Sequence, residues 1–258
     1  MDLAGMLLLS FLQGVTEWLP ISSSAHLALA QYYFMGEVPI VYDVGLHFGT
    51  MLAALLYFRE RISKIIFALL KFQTKSREFN LAAMLLLASI PTAIIGFSIR
   101  KFFASMYLNP FLIGLALVIT AAVLLSTLFV KPKGAKPCPK NAIAIGIAQG
   151  IAIAPGISRS GSTIAMALHA GMEWKEAAAF SFLLAIPAIV GATFFELNDA
   201  PIGSIDPAIF LIGICGASLS GYAAIYFLMN KIDENTFPLF AAYCLALGIF
   251  VMGMNPQG

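Results

Sequence analysis

The chain contains six apolar blocks, roughly residues 44–58, 81–99, 109–130, 177–195, 208–229 and 237–254, and none of them holds an Asp, Glu, Lys or Arg. Crossing about 30 Å of hydrocarbon takes roughly 20 such residues as a helix, so the first block is short and the rest are long enough. In lipid every backbone N–H and C=O must be satisfied internally, which leaves helices or a closed barrel. A barrel needs apolar and polar residues to alternate, and runs such as AAMLLLASIPTAIIGF do not. Composition agrees: 60% of the 258 residues are apolar and 11% are charged, against roughly 25% charged in ordinary soluble domains. The expectation is an all-α, polytopic membrane protein forming a single domain over 1–258. A nucleic-acid binder would gather its basic residues on a soluble face; here they sit in short loops, so no nucleic-acid partner is expected. Cys138, Cys215 and Cys244 have no metal-type spacing, and the two in apolar runs are read as packing. The N-terminus lacks the basic stretch of a cleaved signal peptide.

Two further segments, 3–35 and 141–171, are apolar but interrupted by Pro, Gly and Ser. Loop charge places them. Arg59, Arg61, Lys64, Lys71, Lys75 and Arg77 lie in the loop 59–80, and Lys131, Lys133, Lys136 and Lys140 in the loop 131–140. Two crossings separate these loops, so both fall on one side, the cytoplasm by the positive-inside rule. The linker 196–207, with Glu196, Asp199 and Asp206 and no Lys or Arg, then falls outside, as does 37–43 with Glu37 and Asp43. Arg100 and Lys101 run against the rule. Segment 141–171 begins and ends inside, so it dips in and returns.

The two broken segments resemble each other. QG at 13–14 recurs at 149–150, and ISSS at 21–24 recurs as ISRS at 157–160, at one offset of 136 residues. Each half is a broken segment followed by three crossings. Three is odd, so the halves, about 1–130 and 141–258, form an inverted-topology repeat with two re-entrant helical hairpins meeting near the midplane. Segment 3–35 then enters from outside, and the termini are expected outside.

Gln13 and Glu17, four apart, share a helical face. Pro20 ends or kinks that helix, and Ser22, Ser23 or Ser24 can cap a new one. A helix N-terminus offers free N–H groups and a partial positive charge to an anion. His26 lies one turn past Ser22. In PGISRSGST, residues 155–163, Pro155 and Gly156 make the break, Ser158 and Ser160 can cap, Arg159 brings a fork suited to phosphate oxygens, and Thr163 follows one turn on. For each Ser or Thr alone, helix packing is the alternative reading. Gln149 is read as a packing hydrogen bond, His47 and His169 as structural or interfacial, and Asp43, Glu173, Lys175 and Glu176 as solvated. Glu17 and Arg159 stand apart. An ionisable group in the membrane costs on the order of 3 kcal/mol on insertion scales and marks function by default, although the two could merely pair.

QGVTEWLPISSSAH and PGISRSGST together resemble the two motifs of the undecaprenyl-diphosphate phosphatases of the bacitracin-resistance type; FSFLLAIPAIVGA at 180–192 and, more weakly, YDVGLHFGTMLA at 42–53 extend the likeness. The resemblance implies hydrolysis of a polyprenyl diphosphate, undecaprenyl diphosphate above all, to the monophosphate carrier lipid used for peptidoglycan and other envelope polymers. It implies a homodimer in the cell membrane and a divalent cation, Mg or Ca. Its catalytic positions fall on Gln13, Glu17, Ser23, His26, Ser158, Arg159 and Thr163. Within this reading Glu17, Ser23, His26 and Arg159 are catalytic, Ser22, Ser24, Ser158, Ser160 and Thr163 bind substrate, and Glu17 with Gln13 holds the metal. Gln13 stands where the motif often has a carboxylate, and an amide is no base and a weaker ligand for Mg²⁺ or Ca²⁺. Either Ser23 or water attacks phosphorus. A lipid flippase or transporter is the alternative, since inverted repeats with broken helices also serve transport.

Overall fold

A computed structural model describes residues 1–36, 38–199 and 205–255. Glu37 and 200–204, part of the two acidic outer stretches, lie outside the described residues. Eleven α-helices carry the described chain, and no strand occurs among these residues. They are α1 (Leu3–Trp18), α2 (Ser23–Ala30), α3 (Ile40–Tyr57), α4 (Arg59–Leu70), α5 (Arg77–Ala104), α6 (Pro110–Leu125), α7 (Pro139–Ile151), α8 (Arg159–His169), α9 (Trp174–Asp199), α10 (Pro207–Lys231) and α11 (Phe237–Met254). Six of these are long and apolar enough to cross a membrane: α3, α5, α6, α9, α10 and α11. They fall on the six expected blocks, and α3 starts four residues earlier than the short block did.

The loop expected at 59–80 contains a helix. In α4, Ile65 and Ala68 are buried while Ile66, Phe67 and Leu70 are exposed, and Arg59, Arg61 and Lys64 sit toward its start. That distribution suits a helix lying at a membrane surface, which a count of loop charges does not register. Glu176 is corrected too. It is in the first turn of α9, held by Arg61 at 2.7 Å and Arg77 at 3.1 Å, rather than loose in a loop. Cys244 packs in the interior as expected, but Cys215 is exposed.

Both broken segments are helix–break–helix units whose two helices pack on one another, α1 with α2 and α7 with α8. α1 also lies along α10, and α7 along α5. Glycine sets the first of these approaches: a Cβ on Gly14 would strike Ser220 Oγ and stand 2.8 Å from the Ala217 carbonyl oxygen. Small residues at crossings are how membrane helices gain contact when lipid supplies no hydrophobic drive.

Candidate active site

A break inside a membrane helix exposes carbonyls that lipid cannot satisfy. Here other elements reach in. Leu19 O accepts from Ser160 Oγ at 3.0 Å, and Cys244 Sγ faces Pro20 O at 3.7 Å. At the second break, Thr120 Oγ1 donates to Gly156 O at 2.8 Å and accepts from Ser158 N–H at 3.0 Å. The breaks are therefore held from α8, α11 and α6. Each ends in a serine cap: Ser22 Oγ accepts from Ala25 N–H at 3.4 Å, and Ser158 Oγ from Gly161 N–H at 3.0 Å. The serine pairs Ser22–Ser24 and Ser158–Ser160 lie 3.1 and 3.3 Å apart, so the cap geometry repeats at the same 136-residue offset as the letters.

Glu17 is the hub between the two units. One carboxylate oxygen, Oε1, takes a very short hydrogen bond from Arg159 Nη2. The other, Oε2, accepts from Ser23 Oγ at 2.5 Å and from Gln13 Nε2 at 3.1 Å. His47 Nε2 stands 3.8 Å from the same oxygen. The guanidinium of Arg159 also lies over the Trp18 ring, 5.4 Å from its centroid, and Trp18 is wedged edge-on against Phe182 at 4.9 Å. The side chain of Glu17 is 6% exposed and that of Arg159 17%. Three buried polar atoms here have no hydrogen-bond partner among the described residues: Arg159 Nη1 and Trp18 Nε1, both donors, and Gln13 Oε1, an acceptor. A spare donor beside a helix N-terminus suits a phosphate oxygen.

The profile of one family, described as Bacitracin resistance protein BacA, matches residues 6–250. The chain belongs to the BacA family. It is 40% identical over 249 residues to a protein of Syntrophotalea carbinolica, covering 94% of this chain and 95% of that one. It is 36% identical to one of Korarchaeum cryptofilum (98% and 100%) and 39% identical to one of Halothermothrix orenii (98% and 98%). All three are named undecaprenyl-diphosphatase.

Of the site residues expected for this BacA-family chain, Gln13, Glu17, Ser23 and Arg159 converge directly. Ser22 and Ser158 are N-caps, and Ser24 faces Ser22. Ser160 does not cap; it braces Leu19. Thr163 is fully buried, and its hydroxyl bonds Arg159 O at 2.8 Å and Ser181 Oγ at 2.6 Å, so it props the start of α8 from behind. His26 turns to α11, where Nε2 meets Tyr243 OH at 2.7 Å. His169 bonds Ser126 and Gln149 bonds Thr92, structural contacts as expected.

Two readings are corrected. Asp43 is part-buried and accepts from Gln31 Nε2 at 2.9 and 3.1 Å, so it is not simply solvated. His47 belongs to the Glu17 cluster; its Nδ1–H donates to Asp43 O at 2.8 Å, which aims Nε2 at Glu17. Its signal was present, since it is an ionisable group in a charge-free block. Tyr243 gave no such signal, being one of several aromatic residues on an apolar helix.

Proposed function

We propose that this chain hydrolyses undecaprenyl diphosphate, or a related polyprenyl diphosphate, to the monophosphate carrier lipid and inorganic phosphate. The observation that carries the reading is the Ser23–Glu17–Arg159 line. It joins a hydroxyl bonded to a buried carboxylate, with an arginine that keeps one donor free. Lipid transport needs an anion site but no hydroxyl held by a carboxylate, so the arrangement favours hydrolysis.

Ser23 Oγ attacks the terminal phosphorus. The Ser23–P bond forms, the P–O bond to the prenyl monophosphate breaks, and the Ser23 proton passes to Glu17 Oε2. Water then cleaves the phosphoserine, and the proton held by Glu17 returns to Ser23. Arg159, through its Nη1 donor, and the N–H groups opening α2 and α8 hold the phosphate oxygens as charge develops. His26 serves as a further acid–base group near the α2 N-terminus. Ser22, Ser24, Ser158, Ser160 and Thr163 shape and brace that anion site.

The residues fit a divalent cation. Glu17 and the unpartnered Gln13 Oε1 are the hard oxygen donors Mg²⁺ or Ca²⁺ prefers. Among the described residues no group of three His, Cys, Asp or Glu comes together, so the remaining ligands would be phosphate oxygens and water. The ion would supply charge neutralisation on the diphosphate.

The same reading places the basic loops in the cytoplasm and the termini outside the cell membrane, with the two broken segments re-entering from opposite faces as an inverted repeat. The repeated cap geometry supports the repeat, and the loop charges support the orientation. Phosphate release from undecaprenyl diphosphate by the detergent-purified protein tests the function. A Ser23→Ala protein should be inactive, and mass spectrometry of quenched wild-type turnover should find phosphate on Ser23. Near-full turnover by Ser23→Ala would overturn the covalent route.

A further inference from the structure

We propose that Tyr243 is the positioning residue for His26. The Ser22 carbonyl, the His26 imidazole and the Tyr243 hydroxyl form one unit that holds His26 in a single tautomer, its bare nitrogen on the α11 side. The catalytic part of this proposal rests on the hydrolase reading above; the structural part does not.

The hydrogen bonds leave no choice of tautomer. His26 Nδ1 lies 2.7 Å from Ser22 O. A carbonyl oxygen only accepts, so Nδ1 carries the proton in the neutral ring. Nε2 is then a lone pair, and the Tyr243 hydroxyl 2.7 Å away must donate to it. Turning the ring over would put carbon at both positions and lose both bonds. The two rings are nearly parallel, 7° apart with centroids at 5.7 Å, and with O and N 2.7 Å apart they meet edge to edge, so the hydroxyl approaches the Nε2 lone pair close to the plane of the ring.

The backbone supports the same unit. Ser22 has φ 68° and ψ 95°, a left-handed conformation unusual for a residue with a side chain. Its counterpart Ser158 caps α8 with an ordinary φ of −72°. Capping therefore does not require the distortion. The position matching His26 is Ser162, whose N–H reaches the Ser158 carbonyl at 2.9 Å. The second break takes its positive φ at Gly156 (97°), the position matching Pro20, so each break makes one left-handed turn. At the first break the capping serine's carbonyl serves both His26 N–H (3.4 Å) and the ring nitrogen His26 Nδ1.

With Nδ1 bonded to the Ser22 carbonyl and Nε2 to the Tyr243 hydroxyl, both ring nitrogens of His26 are engaged, so a change in the protonation of the ring changes its bond to Tyr243.

The test uses the full chain, labelled with ¹⁵N-histidine and held in lipid nanodiscs, with the His26 signals assigned by their loss in His26→Gln. Tyr243→Phe keeps the ring and removes only the hydroxyl. Wild-type His26 should show the Nδ1–H tautomer alone. In Tyr243→Phe the Ser22 carbonyl still holds Nδ1–H, but the Nε2 signal should move as the lone pair loses its donor, and kcat should fall about tenfold, the low end for losing an outer hydrogen-bond partner, with KM within about twofold. An unchanged Nε2 signal, or an unchanged kcat, overturns the proposal. A wild-type protein that releases no phosphate defeats the hydrolase reading instead, and the tautomer measurement needs no substrate.

Discussion

Glu17 divides its two oxygens between a cation and a nucleophile, and that division sets what each neighbouring substitution should do. Glu17→Gln keeps the size and can still bond Ser23, but it cannot take a proton; phosphate release should fall by at least about 100-fold, the usual worth of a positioned acid–base group. Arg159→Lys keeps the charge and loses the planar fork that serves Glu17 and a phosphate together; turnover should fall by about 100-fold. Arg159→Ala leaves Glu17 as an unpaired buried charge, and thermal unfolding in detergent should show a loss of about 3–5 kcal/mol as well as inactivity. Glu17 and Arg159 were legible in the sequence because a charge inside an apolar segment needs a reason. Their bond to each other was legible only as one option, since 142 residues separate them. The place of His47 depended on a tertiary approach of α3 to α1 that no local pattern records.

At the scale of elements, the two helix breaks were readable and their repair was not. Pro20 and the Pro155–Gly156 pair announce the ends of α1 and α7 through backbone chemistry alone. What satisfies the freed backbone comes from distant helices: Thr120 from α6, Ser160 from α8, Cys244 from α11. Thr120→Val preserves shape and removes both of its hydrogen bonds at the second break. It should destabilise the protein by about 1–3 kcal/mol through the unsatisfied groups. Because Ser158 directly precedes Arg159, it should also lower turnover, measurable in the same phosphate-release assay. α4 escaped the sequence reading because basic residues at its start were counted as loop charge, although its later residues carry the apolar face.

The whole molecule is interlocked across its halves. α1 lies on α10, α7 on α5, and α6 on α11, so each half's broken unit is seated on a helix of the other. The described stretch 130–138 between the halves is free of helix, which makes it the place to cut. Fragments 1–134 and 135–258 produced together should restore hydrolysis, while either alone should release no phosphate; activity from the first fragment alone would show that Glu17 and Ser23 do not depend on Arg159. The six crossings were legible from hydropathy. Which helices pair was not, because the apolar faces are nearly interchangeable in composition. One contact also carries a consequence for synthesis. Cys244 and Tyr243 sit on α11, which is made after both broken segments, and they touch Pro20 and His26 from the first of them. The reaction centre is therefore closed by a helix that follows both of its halves. During translation a chain can already hold its glutamate, serines and arginine in the membrane and still be chemically silent, with hydrolysis beginning only when α11 has joined them.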